Sequence, residues 1–194
     1  MQESMKYLLS LILLFVLLGC SSDDYRLSLE DQVYEFVFNE AVETAHEEVV
    51  IYRNQYSYDF LSGKSYSELI KEYDEIGKFP KGLIIRLIEK TEQPTPLTWK
   101  PIMVNGVMAD FDNPNPPKAM KERMGFWKEF YRTYPDTSGY FLVSRVEVDS
   151  KSNEAVLLFS YRCAALCGAH DSIIHVKKYG TEWKLENGHR FWVS

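Results

Sequence analysis

Reactive side chains are concentrated in one short stretch, Cys163-Ala164-Ala165-Leu166-Cys167-Gly168-Ala169-His170-Asp171, with His175 just beyond it. Three chemistries are open to these residues. Two cysteines four positions apart can close a disulfide, the state an oxidising compartment favours. Sealing a loop of about five residues stabilises by about 2 kcal/mol in the chain-entropy picture. Alternatively, the thiolates of Cys163 and Cys167 with the imidazoles of His170 and His175 make a donor set suited to tetrahedral zinc. The C-x3-C-x2-H-x4-H spacing compresses all four into one hairpin, where strand side chains alternate between faces and resist converging. Third, both cysteines can stay reduced and buried as small apolar residues. Thioredoxin-type redox catalysis ranks below these, because C-x3-C lacks the C-x2-C spacing and a following helix to lower a thiol pKa. The expected state is the disulfide, with neither metal nor cofactor.

Other catalytic patterns do not occur. The chain has no G-x-S-x-G elbow, no H-E-x-x-H, no glycine-rich phosphate loop and no G-x-G-x-x-G. His46-Glu47-Glu48 reads as the solvated end of a helix. Asp110, Asp112 and Asn113 offer oxygens for Ca²⁺, but without the glycine and terminal glutamate of an EF-hand loop they read as a turn. Lys118, Lys121, Arg123 and Lys128 form a modest basic face on one helix, read as solvent-exposed.

The elements that must position the cluster are mostly strands. Residues 154–162 and 171–179 alternate in the manner of paired strands and present the cysteines at their joining turn, where Gly168 can take the positive φ of a tight reversal. Both faces of the first strand are apolar: Ala155, Leu157, Phe159 and Tyr161 on one side, Val156 and Leu158 on the other. Tyr140-Phe141-Leu142-Val143, Val146 with Val148, Glu182 to Leu185 and Arg190 to Val193 complete an antiparallel meander. Upstream, Ser28-Leu29-Glu30-Asp31 reads as a capped helix start, with helical spacing of apolar residues to about residue 47. Val49 to Tyr52 is a candidate strand, and residues 66–73, 80–90 and 117–134 are candidate helices. Asn105-Gly106, between Ile102-Met103-Val104 and Val107-Met108-Ala109, is a two-residue hairpin signal. On the last helix, Met120, Met124, Trp127 and Tyr131 form a stripe read as core, with Phe159 or Leu157 as expected partners of Trp127. The fold class is therefore α+β, N-terminal helices packed on a C-terminal antiparallel meander.

Composition bounds the function. The 194 residues carry 28 acidic and 22 basic side chains, a net charge of −6, with 45% apolar residues. Nucleic-acid binding, which needs a strongly basic face, is disfavoured. Met5-Lys6 precedes twelve apolar residues, Tyr7 to Leu18. That run is shorter than the roughly 20 residues a membrane span needs and matches a secretory signal peptide. The acidic Met1-Gln2-Glu3-Ser4 ahead of it suggests that translation starts at Met5 rather than Met1.

Leu17-Leu18-Gly19-Cys20 resembles a bacterial lipobox. The resemblance implies cleavage before Cys20, a diacylglyceryl group on its thiol and a further acyl chain such as palmitate on its amine. Several acyl chains hold a protein on a bilayer where one does so marginally. No aspartate directly follows Cys20, and Ser21-Ser22-Asp23-Asp24 is similar to the surface-export signal of Bacteroidetes lipoproteins, or is simply a solvated tether. The implied address is the outer membrane, with the leaflet open. Residues 1–19 are then a signal peptide, 20–27 a tether and 28–194 a single α+β domain.

A second resemblance covers residues 126–194. Phe130-Tyr131-Arg132-Thr133-Tyr134-Pro135, Ser144-Arg145-Val146, Leu166-Cys167-Gly168 and Lys177-Lys178-Tyr179-Gly180-Thr181-Glu182-Trp183-Lys184 resemble the shared pattern of a widespread group of uncharacterised, mostly Bacteroidetes, lipoproteins and secreted proteins. Ala169-His170 departs from that pattern, in which a small residue and an aromatic usually follow the turn. The group implies a fold and no activity. The expected function is thus a membrane-anchored envelope lipoprotein that binds another envelope protein or a glycan. The alternative is a thiol- or metal-dependent enzyme working through the Cys163–His175 hairpin.

Overall fold

The computed structural model describes residues 27–42, 49–52, 77–91, 97–99, 106–109, 119–164 and 170–193. Among them, three helices and seven strands follow one another as α1 (Leu29–Val42), β1 (Val49–Tyr52), α2 (Lys81–Thr91), β2 (Gly106–Ala109), α3 (Met120–Thr133), β3 (Gly139–Val143), β4 (Glu147–Asp149), β5 (Glu154–Cys163), β6 (His170–Tyr179) and β7 (Glu182–Val193). The chain is α+β with one mixed sheet, ordered β2-β1-β3-β5-β6-β7, and β4 pairs with β5 beyond that path.

Local chemistry accounts for the element ends. The Asp31 amide donates to Ser28 Oγ at 3.1 Å, so Ser28 caps α1 by meeting an otherwise orphaned helical N–H. The described part of that helix runs to Val42, and the expected end near residue 47 lies outside the described residues. Pro80 directly precedes α2 and its carbonyl accepts from the Leu83 and Ile84 amides. At the turns after β4 and β6, Asn153 (φ 57°) and Gly180 (φ 65°) take the left-handed conformation that reverses the chain.

The expected C-terminal antiparallel pairing is present from β3 onward, and the sheet extends past it through strands that run parallel. Strand β1 pairs in parallel with β2 and with β3, while β3–β5, β4–β5, β5–β6 and β6–β7 are antiparallel. The reason is connectivity: α2 separates β1 from β2, and α3 separates β2 from β3, and a chain that returns through a helix re-enters the sheet in the same direction. Gly106 accordingly opens a strand parallel to β1. The hairpin partner expected at 102–104 lies outside the described residues, as does the candidate helix at 66–73.

Both faces of the sheet are buried. One carries Val50, Tyr140, Leu142, Val156, Leu158 and Ile173 beneath Leu83, Ile84, Leu87 and Ile88 of α2 and Trp127 and Phe130 of α3. The other carries Ile51, Val143, Leu157, Phe159 and Val176 beneath Val33, Tyr34, Val37 and Phe38 of α1, with Leu97 and Trp99. Phe38 stacks on Trp99 at 5.0 Å, and Trp99 Nε1 donates to the buried Glu35 carboxylate at 3.0 Å. This arrangement corrects the partners expected of Trp127. Its neighbours are Phe126, Phe130, Tyr131 and Tyr140, whereas Phe159 and Leu157 face the opposite side. Met120 and Met124, expected in the core stripe, are 79% and 68% exposed. They continue the stripe into the first turns of α3, where every side chain from Met120 to Gly125 is exposed.

Candidate functional site

The turn end of the β5–β6 hairpin, beside Cys163, gathers a set of buried polar groups. Side chains two apart on a strand share a face, so Ser160 and Arg162 of β5 point the same way. Asp171 of β6 lies directly opposite Ser160 in the antiparallel register, with Arg162 on the diagonal. Arg162 Nη1 sits 2.6 Å from Asp171 Oδ1, and Ser160 Oγ donates to the same oxygen. Asp171 and Ser160 are fully buried and Arg162 nearly so. A buried charge is tolerable only when paired and hydrogen-bonded, and this carboxylate has both.

Tyr140 of β3 stands opposite Arg162 on the other side of β5. Burial pushes its phenol above the ordinary tyrosine range, outweighing the lowering effect of the Arg162 charge, with Tyr52 adding to the rise. The phenol therefore stays neutral. Around this island, Tyr131 of α3 donates its hydroxyl to the Ser138 carbonyl at 2.7 Å and accepts from the Ala164 amide at 3.3 Å. Ser138 Oγ and Tyr161 Oη lie 2.8 Å apart. Helix α3, the start of β3 and the hairpin end are thus tied together. Chemically, the island holds an ion pair and a neutral phenol away from water, an arrangement that fixes strand register.

Of the four residues in the alternative metal set, the fold presents three. Cys163 ends β5 opposite Gly139 and is disulfide-bonded. The sulfur it joins lies outside the described residues, as do Cys167 and Cys20. His170 is half-buried opposite Tyr161, with ring centroids 6.1 Å apart. His175 is opposite Val156. Five positions apart on one regular strand, the two imidazoles occupy opposite faces of the sheet, His170 with Tyr161 and His175 with Val156. Among the described residues, no group of three or more His, Cys, Asp or Glu is placed to hold a metal ion.

Lys121, Arg123 and Lys128 lie exposed on α3, as expected. Lys118, His46, Glu47, Glu48, Asp110, Asp112 and Asn113 lie outside the described residues. Two polar groupings escape sequence reasoning altogether. One is the Arg162–Asp171–Ser160 island. The other is Glu147 of β4, 2.6 Å from both Arg86 Nε and Lys90 Nζ. The signals were there in hindsight: Arg86 and Lys90 are one helical turn apart, and Ser160 and Arg162 interrupt an apolar strand on one face. No protein-family model matches the chain, and neither does any curated protein or solved structure.

Proposed function

We propose that this chain is a lipid-anchored lipoprotein of the bacterial cell envelope, held at the outer membrane through acylated Cys20. Its domain, residues 28–194 with the N-terminal helices laid on the C-terminal sheet, acts as a non-catalytic binding module for another envelope protein or a glycan. The observation that carries the anchor is Leu17-Leu18-Gly19-Cys20 immediately after twelve apolar residues. The motifs between Phe130 and Lys184, which resemble those of Bacteroidetes-type lipoproteins, support this reading.

The buried polar groups described above are engaged within the fold itself. Arg162, Asp171 and Ser160 are committed to one another inside the sheet, and Glu147 to two bases of α2. In this reading Cys163 is joined to Cys167 across the hairpin turn. Opposite-facing His170 and His175 weigh against the thiol- or metal-dependent enzyme.

Fractionation tests the anchor. Cys20→Ser should move the protein from the membrane fraction to the soluble envelope fraction. A variant that still pellets and resists a carbonate wash would sink the proposal.

A further inference from the structure

His175 is a buried imidazole with no hydrogen-bonding role in the fold. It is 6% exposed, and both Nδ1 and Nε2 are buried without a hydrogen-bond partner. It lies on β6 between Val156 of β5 and Asn187 of β7. Over it comes the segment Gly77–Pro80. The Phe79 ring centroid is 6.3 Å from that of His175. Asn187, its cross-strand neighbour, donates from Nδ2 to the Lys78 carbonyl at 2.9 Å. Gly77 turns the chain into this segment with a left-handed φ of 63°, and Pro80 hands it directly to α2. The segment is a strap joining the sheet to the start of α2, and Phe79 is the part that lies over the imidazole.

We propose that seating of this strap requires an uncharged His175, so that mild acid releases Gly77–Pro80 and the first turn of α2 from the sheet. Protonation would give the ring a second N–H donor and a positive charge where neither nitrogen has an acceptor. The surrounding charges do not supply one. Glu154 of β5 is held by Lys177 at 3.0 Å, and Glu186 of β7 accepts from the Tyr179 hydroxyl. Glu147 of β4, in the same cross-strand row beyond Val156, is engaged by Arg86 and Lys90 of α2. Lys177 on β6, Lys184 on β7, and Lys78 and Lys81 on the strap and helix bring cations, and His189 on β7 brings a second imidazole.

Burial accordingly holds the His175 imidazole below its ordinary value of 6.5, with Glu154 and Glu186 pulling it partly back and Lys177 opposing them. The linkage sign follows. An opened strap leaves the ring near its ordinary value, so below about pH 6.5 the open state binds more protons than the closed one. The closed state is fully favoured above that pH and loses ground as pH falls toward the lowered value.

Hydrogen exchange by mass spectrometry on the full chain, expressed as protection factors to remove the intrinsic pH dependence, reads this directly. Between pH 7.5 and 5.5, peptides covering residues 77–84 should lose protection several-fold, up to the roughly tenfold that one imidazole can supply, while those covering 154–160 keep theirs. His175→Met, an apolar side chain of similar size, should abolish the pH dependence. If that variant does not fold, Phe79→Ala supplies the second arm: the strap should be unprotected at both pH values, and the His175 NMR titration should move toward 6.5. A strap whose protection ignores pH in the wild type would overturn the proposal. So would an unchanged acid loss in His175→Met, or loss spread equally through β5.

Discussion

The Glu147 clamp allows an asymmetric test. The carboxylate is 6% exposed, while the side chains of its partners Arg86 and Lys90 are 47% and 39% exposed. Glu147→Gln removes the charge but leaves two bases that can turn into water. Partly exposed pairs contribute about 0.2–1 kcal/mol each, and a hydrogen bond to a charged group somewhat more. The expected cost is about 1–2 kcal/mol. Arg86→Met with Lys90→Met keeps the aliphatic stems of α2 but strands a buried carboxylate without counter-charge, which costs roughly 3–5 kcal/mol. For a domain of this size each kcal/mol moves Tm by about 2–4 °C. The acid variant should therefore melt about 2–8 °C below wild type, and the double-base variant about 6–20 °C below. Adding Glu147→Gln to the double-base variant should restore part of the loss. Urea denaturation at pH 7 checks the free energies, with an unchanged m-value confirming the same two states. If removing the acid costs as much as removing both bases, Glu147 is not buried as described and the reasoning fails.

Two further outcomes follow from packing. A Cβ added at Gly139 would sit 2.2 Å from the Arg162 carbonyl oxygen and 2.9 Å from Cys163 Cβ, so Gly139→Ala should cost about 3 kcal/mol, at the upper end of overpacking penalties; a Tm unchanged from wild type would contradict the β3–β5 register. Trp127→Ala should cost about 3–5 kcal/mol and Met124→Ala less than about 0.5 kcal/mol, measured side by side by thermal unfolding, and equal losses would mean that the exposed start of α3 is covered.

Local signals carried far in this chain. Ser28 ahead of Asp31 is enough to start α1, because an N-cap needs only one oxygen within reach of an orphaned amide. Pro80 before α2, and Asn153 and Gly180 at the turns, act in the same way through backbone geometry that each residue carries with it. Period-two alternation located β5 and β6 to within a residue or two. The apolar residues on both sides of β5 meet covering layers on both. The resemblance of Leu17-Leu18-Gly19-Cys20 to a lipobox, on which the proposed anchor rests, is a short contiguous pattern that needs no fold to be read.

What the tertiary structure alone decided is direction, face and partner. Whether β1 runs parallel or antiparallel to its neighbours depends on how the chain returns past α2 and α3, and strand composition is the same in either case. Trp127 and Met124 share a helical stripe, yet one meets Tyr140 and the other meets water, because only part of α3 lies over the sheet. Asp171 finds Ser160 and Arg162 through the β5–β6 register, and Glu147 finds Arg86 and Lys90 across 61 and 57 residues of chain. The opposite facing of His170 and His175 follows from their odd separation once β6 is a regular strand. The ring that packs 6.3 Å from His175 is Phe79, nearly a hundred residues earlier in the chain. Sequence patterns report what a residue prefers over a few neighbours; long-range pairing is set by the packing of whole elements, where the partner is chosen by geometry rather than by proximity along the chain.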